Sequence, residues 1–266
     1  MKIAFGTGLF LGDSSQEYVY EISKISGLEQ PVIRNGNGLY AGADGGYWSS
    51  QYYGHRTVVI DGFSIAKGCD SVQQLREHLI SHLPIRYICP ITIEDTNGDY
   101  WYLEGAITDI KCELNNTKAI EYQITIVCAD PLIYPAENLL SFAPISNERT
   151  LELNGSSTNI LLPGESVYAY PVFEVDGEFT SPIRFENTTS NEYLEVAVSN
   201  ENSDKLVARL KDRAVVQNGL TVNEFVEINS SWWKLNPGNN RLQITSGSSS
   251  DSATVKIKYS IGYRGI

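Results

Sequence analysis

Apolar and polar residues alternate in several short runs, and one run keeps a different period. Residues 17–22 place Tyr18, Tyr20 and Ile22 on one face, as a half-buried strand does. Arg56-Thr57-Val58-Val59-Ile60 reads as a second strand, which Gly62-Phe63-Ser64-Ile65 continues. Ile120, Tyr122, Ile124, Ile126 and Cys128 alternate as a third, ended by Ala129-Asp130-Pro131. The exception is 71–83, where Val72, Leu75, Leu79 and Leu83 recur at helical spacing. Ser71 and Gln74 form an S-x-x-Q capping box before it, and Pro84 follows. The spacing predicts one helix of about three turns, with its apolar stripe on a sheet.

Turn residues divide the rest. Asn97-Gly98, between Ile91-Thr92-Ile93 and Tyr100-Trp101-Tyr102-Leu103, predicts a hairpin whose two central residues take positive φ. Asn35–Gly46 is glycine-rich and predicts a long loop or hairpin. Residues 134–147 carry two prolines and no period, which places a domain boundary there: 1–135 and 136–266. The second part predicts short strands at 166–175, 183–186, 193–198, 224–229 and 254–261. Asn154-Gly155, Asp176-Gly177, Asn218-Gly219 and Pro237-Gly238 separate them, the pattern of a β-sandwich. Residues 246–252 read as a flexible loop tip.

Composition narrows the function. Of 266 residues, 20 are Lys or Arg and 32 Asp or Glu, for a net charge of −12. Residues 1–135 carry 9 basic and 16 acidic residues, so no basic block hides in an acidic average. Nucleic-acid binders need a basic stripe, so that class is set aside. No apolar run reaches the length of a membrane span. The opening Met1-Lys2-Ile3-Ala4-Phe5 lacks a signal-peptide pattern. Cys69, Cys89, Cys112 and Cys128 form no CxxC and read as buried thiols.

No constellation points to catalysis. His78 and His82 share a helix face, but Leu79 stands where a metalloprotease motif needs Glu, and no third ligand is in view. Asp95-Thr96-Asn97-Gly98-Asp99 begins like a calcium loop, yet Ala106 occupies the position of the closing glutamate. Gly6, Gly8 and Gly12 do not have dinucleotide-fingerprint spacing. Glu94 and Asp95 are adjacent and point to opposite faces of a strand, unlike the facing pair of a glycosidase. No catalytic, cofactor-binding or metal-binding residues are therefore assigned, and no cofactor is expected. Trp232 and Trp233, near Asn229 and Asn239-Asn240, motivate the alternative of a carbohydrate-binding, lectin-like module that stacks on cell-wall sugars.

The order of features resembles the distal tail protein (Dit) family of siphophages infecting Gram-positive bacteria. The resemblance rests on Arg56–Phe63, the helix ending in Leu83-Pro84, Asp99–Gly105, Cys128–Tyr134, Val167–Val175 with Tyr170-Pro171, Trp233–Asn240 and Val255–Tyr259. It implies a mainly β fold. The first domain is a β-barrel or sandwich-like domain with one helix that assembles into a homo-hexameric ring; the second is a galectin-like β-sandwich on the outside of that ring. It also implies a virion tail-tip structural protein, not an enzyme, made in the host cytoplasm. Its implied partners are the tail tube (major tail) protein, a tail-associated lysin or tip protein, and a receptor-binding protein. Residues 27–55 are expected to form the belt that extends along a neighbouring copy.

Overall fold

The computed structural model describes residues 1–42, 44–47, 49, 51–66, 71–85, 87–116, 118–201 and 204–266. The chain forms two compact units, Met1–Pro144 with Tyr263–Ile266, and Ile145–Gly262. Among the described residues it is mainly β with one α-helix, as the sequence predicts.

The first unit is built on one antiparallel sheet. Its path runs Phe10–Leu11, Lys2–Phe5, Ile88–Glu94, Tyr100–Asn116, Ala119–Cys128, Arg56–Ile65 and Glu21–Ser26, with Tyr134–Pro135 also paired to the fourth of these. In the strand Ala119–Cys128 every second residue is buried, because a pleated strand sends alternate side chains to one face. Ile120, Tyr122, Ile124, Ile126 and Cys128 thus enter the core with Val58 and Ile60. The helix Val72–Ser81 covers them with Leu75 and Leu79. Both halves of its capping box form: Ser71 Oγ accepts from Gln74 N, and Gln74 Oε1 accepts from Ser71 N. The helix stops at Ser81, with His82 as C-cap and Leu83 buried, so the chain leaves it three residues before Pro84.

Two expectations for this unit change. The strand expected at 17–22 begins at Glu21. Tyr20 gives its hydroxyl proton to Leu75 O at 2.8 Å and Tyr18 stacks on His78 at 4.2 Å, so contact with the helix overrides the alternating pattern. The Asn97-Gly98 hairpin forms, but Tyr100 pairs with Glu94, so its loop has the five residues 95–99 and only Gly98 has positive φ. Asp95 makes the difference: its Oδ1 accepts from Asn97 N at 2.7 Å and Asp99 N at 3.0 Å, closing a wider turn.

The second unit is a sandwich of two antiparallel sheets. One has the order Asn147–Glu152, Thr254–Tyr259, Val172–Asp176, Lys205–Arg209, Ala214–Gln217, Leu220–Thr221; the other Thr158–Leu162, Gly238–Thr245, Ile183–Asn187, Glu192–Val196. They share one core, in which Phe173 and Phe185 stack with centroids 4.6 Å apart and Trp233 meets Phe173 edge-on. Asn218 and Gly219 both take positive φ in a two-residue hairpin turn, as this dipeptide predicts.

Here too the outcome differs locally. Pro171 has no N–H, and the strand expected at 166–175 becomes Ser166–Tyr168 and Val172–Asp176. Residues 224–229 are not a ladder strand. A 3₁₀ turn, Asn223–Phe225, opens the segment, pinned by Asn223 Oδ1 accepting from Val215 N. The chain then runs beside Glu192–Val196, linked by Ala197 N to Phe225 O and Glu227 N to Glu195 O. The loop expected to be a flexible tip is tied down. Asp251 accepts from Thr180 N and Ser246 Oγ, and Asn154 donates to Ser246 Oγ and Ser248 O.

Candidate assembly surface

Residues 27–55 fold into a hairpin outside the main sheet. Ile33–Arg34 pairs with Tyr52–Tyr53, and further out Gly38–Leu39 pairs with Gly46–Tyr47. Side chains bridge the two ladders: Gly36 N donates to Ser49 Oγ at 2.7 Å and Ser49 N to Asn37 Oδ1 at 3.1 Å. The Tyr40 and Tyr47 rings lie 6.0 Å apart at the outer end. Unlike the sheet, this hairpin has almost no buried face. Val32 is 71% exposed, Leu39 86% and Tyr52 68%, with Tyr40 and Tyr47 about half exposed. A two-stranded ribbon is marginal alone in water, and an apolar one of this size marks a contact surface.

The base of the hairpin is firm because of Arg56. Arg56 is 2% exposed, and its guanidinium donates to four backbone carbonyls among the described residues. Nε reaches Pro131 O at 2.8 Å, Nη1 reaches Gly27 O and Glu29 O at 2.6 Å each, and Nη2 bonds Arg264 O. Burial lowers its pKa, while Cys128, Glu29 and Asp130 oppose the shift. Arginine fits such a site because its planar fork serves several acceptors and holds its proton when desolvated. The sequence analysis reads Arg56 only as the start of a strand; its role depends on carbonyls far apart in the chain.

The other candidates are absorbed by packing. Trp233 is 1% exposed and donates to Phe185 O, so it offers no stacking platform; Trp232 is half-buried against the same core. Asn240 lies in the interior with Asn187, its amide bonded to Asn236 O and Gly238 O. His78 and His82 lie with ring centroids 4.3 Å apart, and His78 is held by Tyr18 and Tyr20. His82 Nδ1 bonds the His78 carbonyl. Asp95 accepts from Trp101 Nε1, and Glu94 pairs with Lys2 at 3.6 Å. Cys89 and Cys128 are buried and Cys112 half-buried; burial raises all three thiol pKa values, that of Cys128 to about 12. Cys69 lies outside the described residues.

A shallow depression on the sheet of the first unit is lined by Asp61, Lys111, Glu113 and Gln123. Gln123 donates to Asp61 and accepts from Lys111, which joins these three polar side chains in one hydrogen-bonded row. Among the described residues no group of three or more His, Cys, Asp and Glu side chains is placed to hold a metal ion. No described helix is long and apolar enough to cross a membrane.

Comparison with known proteins fits this picture. No curated protein matches the chain in sequence. Residues 166–263 match the family model "Siphovirus-type tail component, C-terminal domain". The crystal structure of the Dit protein of phage SPP1, described as a hub of the adsorption apparatus of phages infecting Gram-positive bacteria, superposes with a TM-score of 0.71. It is 17% identical, over 97% of this chain and 98% of that one. Structures of the phage P2 baseplate in its activated conformation, with Ca and with Sr, give TM-scores of 0.47 at 10% and 11% identity, each over 97% of both chains. The resemblance to distal tail proteins read from the sequence therefore holds at two levels: the second unit matches the tail-component family model, and the whole chain has the fold of SPP1 Dit.

Proposed function

We infer that this chain is a distal tail hub protein, a structural virion subunit and not an enzyme. Six copies close into a ring that joins the tail tube to the tail-tip proteins. The first unit, expected from the sequence as residues 1–135, builds the ring. The second, with its galectin-like sandwich, serves as a docking platform for lysin, tip or receptor-binding proteins. The protein is made in the host cytoplasm and ends in the tail tip.

The carrying observation is the hairpin of residues 27–55. It spends exposed Val, Leu and Tyr side chains on a ribbon that has no core of its own, yet a buried arginine anchors its base. Such an element is stable only against another surface, and head-to-tail contacts between unlike patches are what closes a ring.

The test is the mass of the purified full chain by light scattering after size exclusion, with negative-stain images of the peak. The expected species has about six subunits and images as a ring. Deleting residues 36–46 should abolish the ring and leave the second unit folded by circular dichroism. Intact rings from the deletion would overturn the role of the hairpin.

A further inference from the structure

Packing uses only one nitrogen of each imidazole in the pair His78 and His82. His82 Nδ1 lies 2.9 Å from the His78 carbonyl oxygen and 3.2 Å from Ser81 Oγ. A carbonyl oxygen only accepts, so Nδ1 of His82 carries the ring proton. Ser81 agrees, because its own hydroxyl proton goes to the same carbonyl at 2.9 Å. His78 Nδ1 lies 3.0 Å from the Tyr20 hydroxyl, whose one proton is given to Leu75 O. The phenol oxygen therefore accepts from His78, and this Nδ1 is protonated too. Both rings are fixed in the same tautomer, with the lone pair on Nε2.

Neither Nε2 has a hydrogen-bond partner among the described residues. The two residues stand four apart, joined by the bond from His82 N to His78 O, so they share a helix face. Their ring centroids are 4.3 Å apart with the planes tilted by 35°. Both side chains are half-buried, so solvent still reaches them. Two nitrogens that ligate one ion, each at about 2.0–2.1 Å, stand about 3 Å apart. A small turn of either ring closes that difference. A fixed acceptor on Nδ1–H is also what orients a metal-ligating histidine. A single N–H donor satisfies one of the two lone pairs; a divalent cation takes both.

We propose that Nε2 of His78 and Nε2 of His82 form a two-point site for an imidazole-preferring divalent transition-metal ion, of the class of Ni²⁺, Cu²⁺ and Zn²⁺. Mg²⁺ and Ca²⁺ do not fit, because they take oxygen ligands. No third His, Cys, Asp or Glu is placed to join the pair among the described residues, so water fills the remaining positions. The ion draws electrons from the His78 ring and strengthens its Nδ1–H bond to Tyr20, which ties the helix to the chain entering Glu21–Ser26. The site lies within one copy, so its failure leaves the hub reading untouched.

The test uses the full chain without an affinity tag. Calorimetric titration with Ni²⁺ at pH 7.5 should find one site per chain, and Mg²⁺ should give none. Ni²⁺ should also raise the thermal midpoint, as a ligand of the folded state does. His82→Gln should weaken the binding about tenfold or more. Its melting by circular dichroism shows whether it folds; if it does not, a measurement on the wild type decides. Cu²⁺ with ascorbate and dioxygen oxidises the imidazoles that hold the ion. Trypsin places His78 and His82 in the peptide 77–86 and His55 in the peptide 35–56. A one-oxygen gain confined to 77–86 supports the site. A gain on 35–56 instead, or equal gains on both, overturns it. So does Ni²⁺ binding that a folded His82→Gln keeps unchanged, and so does a wild type that takes up no Ni²⁺ at millimolar concentration.

Discussion

Arg56 and Arg264 are 208 positions apart, and the guanidinium of the first donates to the carbonyl of the second. With its bonds to Gly27, Glu29 and Pro131, this side chain ties the hairpin base, the exit of the strand Ala119–Cys128 and the last residues of the chain into one node. Replacing it by methionine keeps bulk but leaves four carbonyls without their donor. Arg56→Met should destabilise the first unit by about 3–5 kcal/mol, since buried acceptors then bear their desolvation uncompensated. Arg56→Lys should lose less, because an ammonium reaches some of these oxygens but not all. Urea unfolding of the two variants checks the order; equal losses would mean that the retained charge recovers nothing and that only the guanidinium fork serves this site.

A second prediction concerns Gly62, which lies inside a ten-residue strand, where glycine is normally a weakness. A Cβ built there would sit 2.2 Å from Glu21 O and 2.3 Å from the Tyr122 hydroxyl, which itself donates to Glu21 O. The phenol thus crosses over the glycine to reach the edge strand, beside the irregular register at Ile22 and Lys24. Gly62→Ala must displace either the ring or the edge strand, at about 1–3 kcal/mol. The thermal midpoint should fall, and amide exchange in 21–26 should quicken. Unchanged exchange there would show that the ring yields instead.

These two residues mark how far the sequence could be read. The helix, the long strand Ala119–Cys128 and the Asn218-Gly219 turn are legible because their signals are local: a cap, a period, a dipeptide. Gly62 and Arg56 are visible as parts of a motif, but their reasons are not. The atoms that constrain them come from Glu21, Tyr122, Pro131 and Arg264, which only the fold assembles. The strands Lys205–Arg209 and Ala214–Gln217 escape for a related cause. They are short and bury few residues, so the sheet holds them more than their own pattern does. The exposed hairpin was legible as a segment without a period; its ladders were not.

The pH dependence of the first unit should carry the mark of His78. Burial, and then the neighbouring His82, lower its pKa in the folded state, against an opposing pull from Glu17. Unfolded chain takes up the proton near pH 6.5 and folded chain resists it, so the neutral imidazole stabilises the fold above that pH. The contribution is complete above pH 6.5 and is lost as pH falls through the folded pKa. Urea midpoints should therefore drop between pH 8 and pH 5 in the wild type, and drop less in His78→Gln. Carboxylates such as Glu174, held low by Lys258, lose their contribution at more acidic pH, below the ordinary glutamate range, so they stay charged across this window. Parallel curves for the two proteins would remove His78 as the cause.

In the second unit the prediction rests on one amide. Asn240 is 2% exposed and spans the turn that the sequence marks with Asn236-Pro237-Gly238-Asn239-Asn240. Its Oδ1 accepts from Asn236 N at 3.0 Å and from Asn187 Nδ2 at 3.2 Å. Its Nδ2 donates to Asn236 O at 2.7 Å and Gly238 O at 3.2 Å, with a longer contact to Ile160 O. The amide thus closes the turn on itself and joins the strands that carry Ile160 and Asn187. Asn240→Ala would strand several of these groups in the interior, and Asn240→Asp would put a carboxylate against three carbonyl oxygens. The alanine variant should lose about 2–4 kcal/mol, and the aspartate variant more at pH 8 than at pH 4. A pH-dependent melting difference between the two variants checks both signs at once. Were Asn240 a sugar ligand instead of a structural amide, its loss would leave the melting curve in place and change only glycan binding.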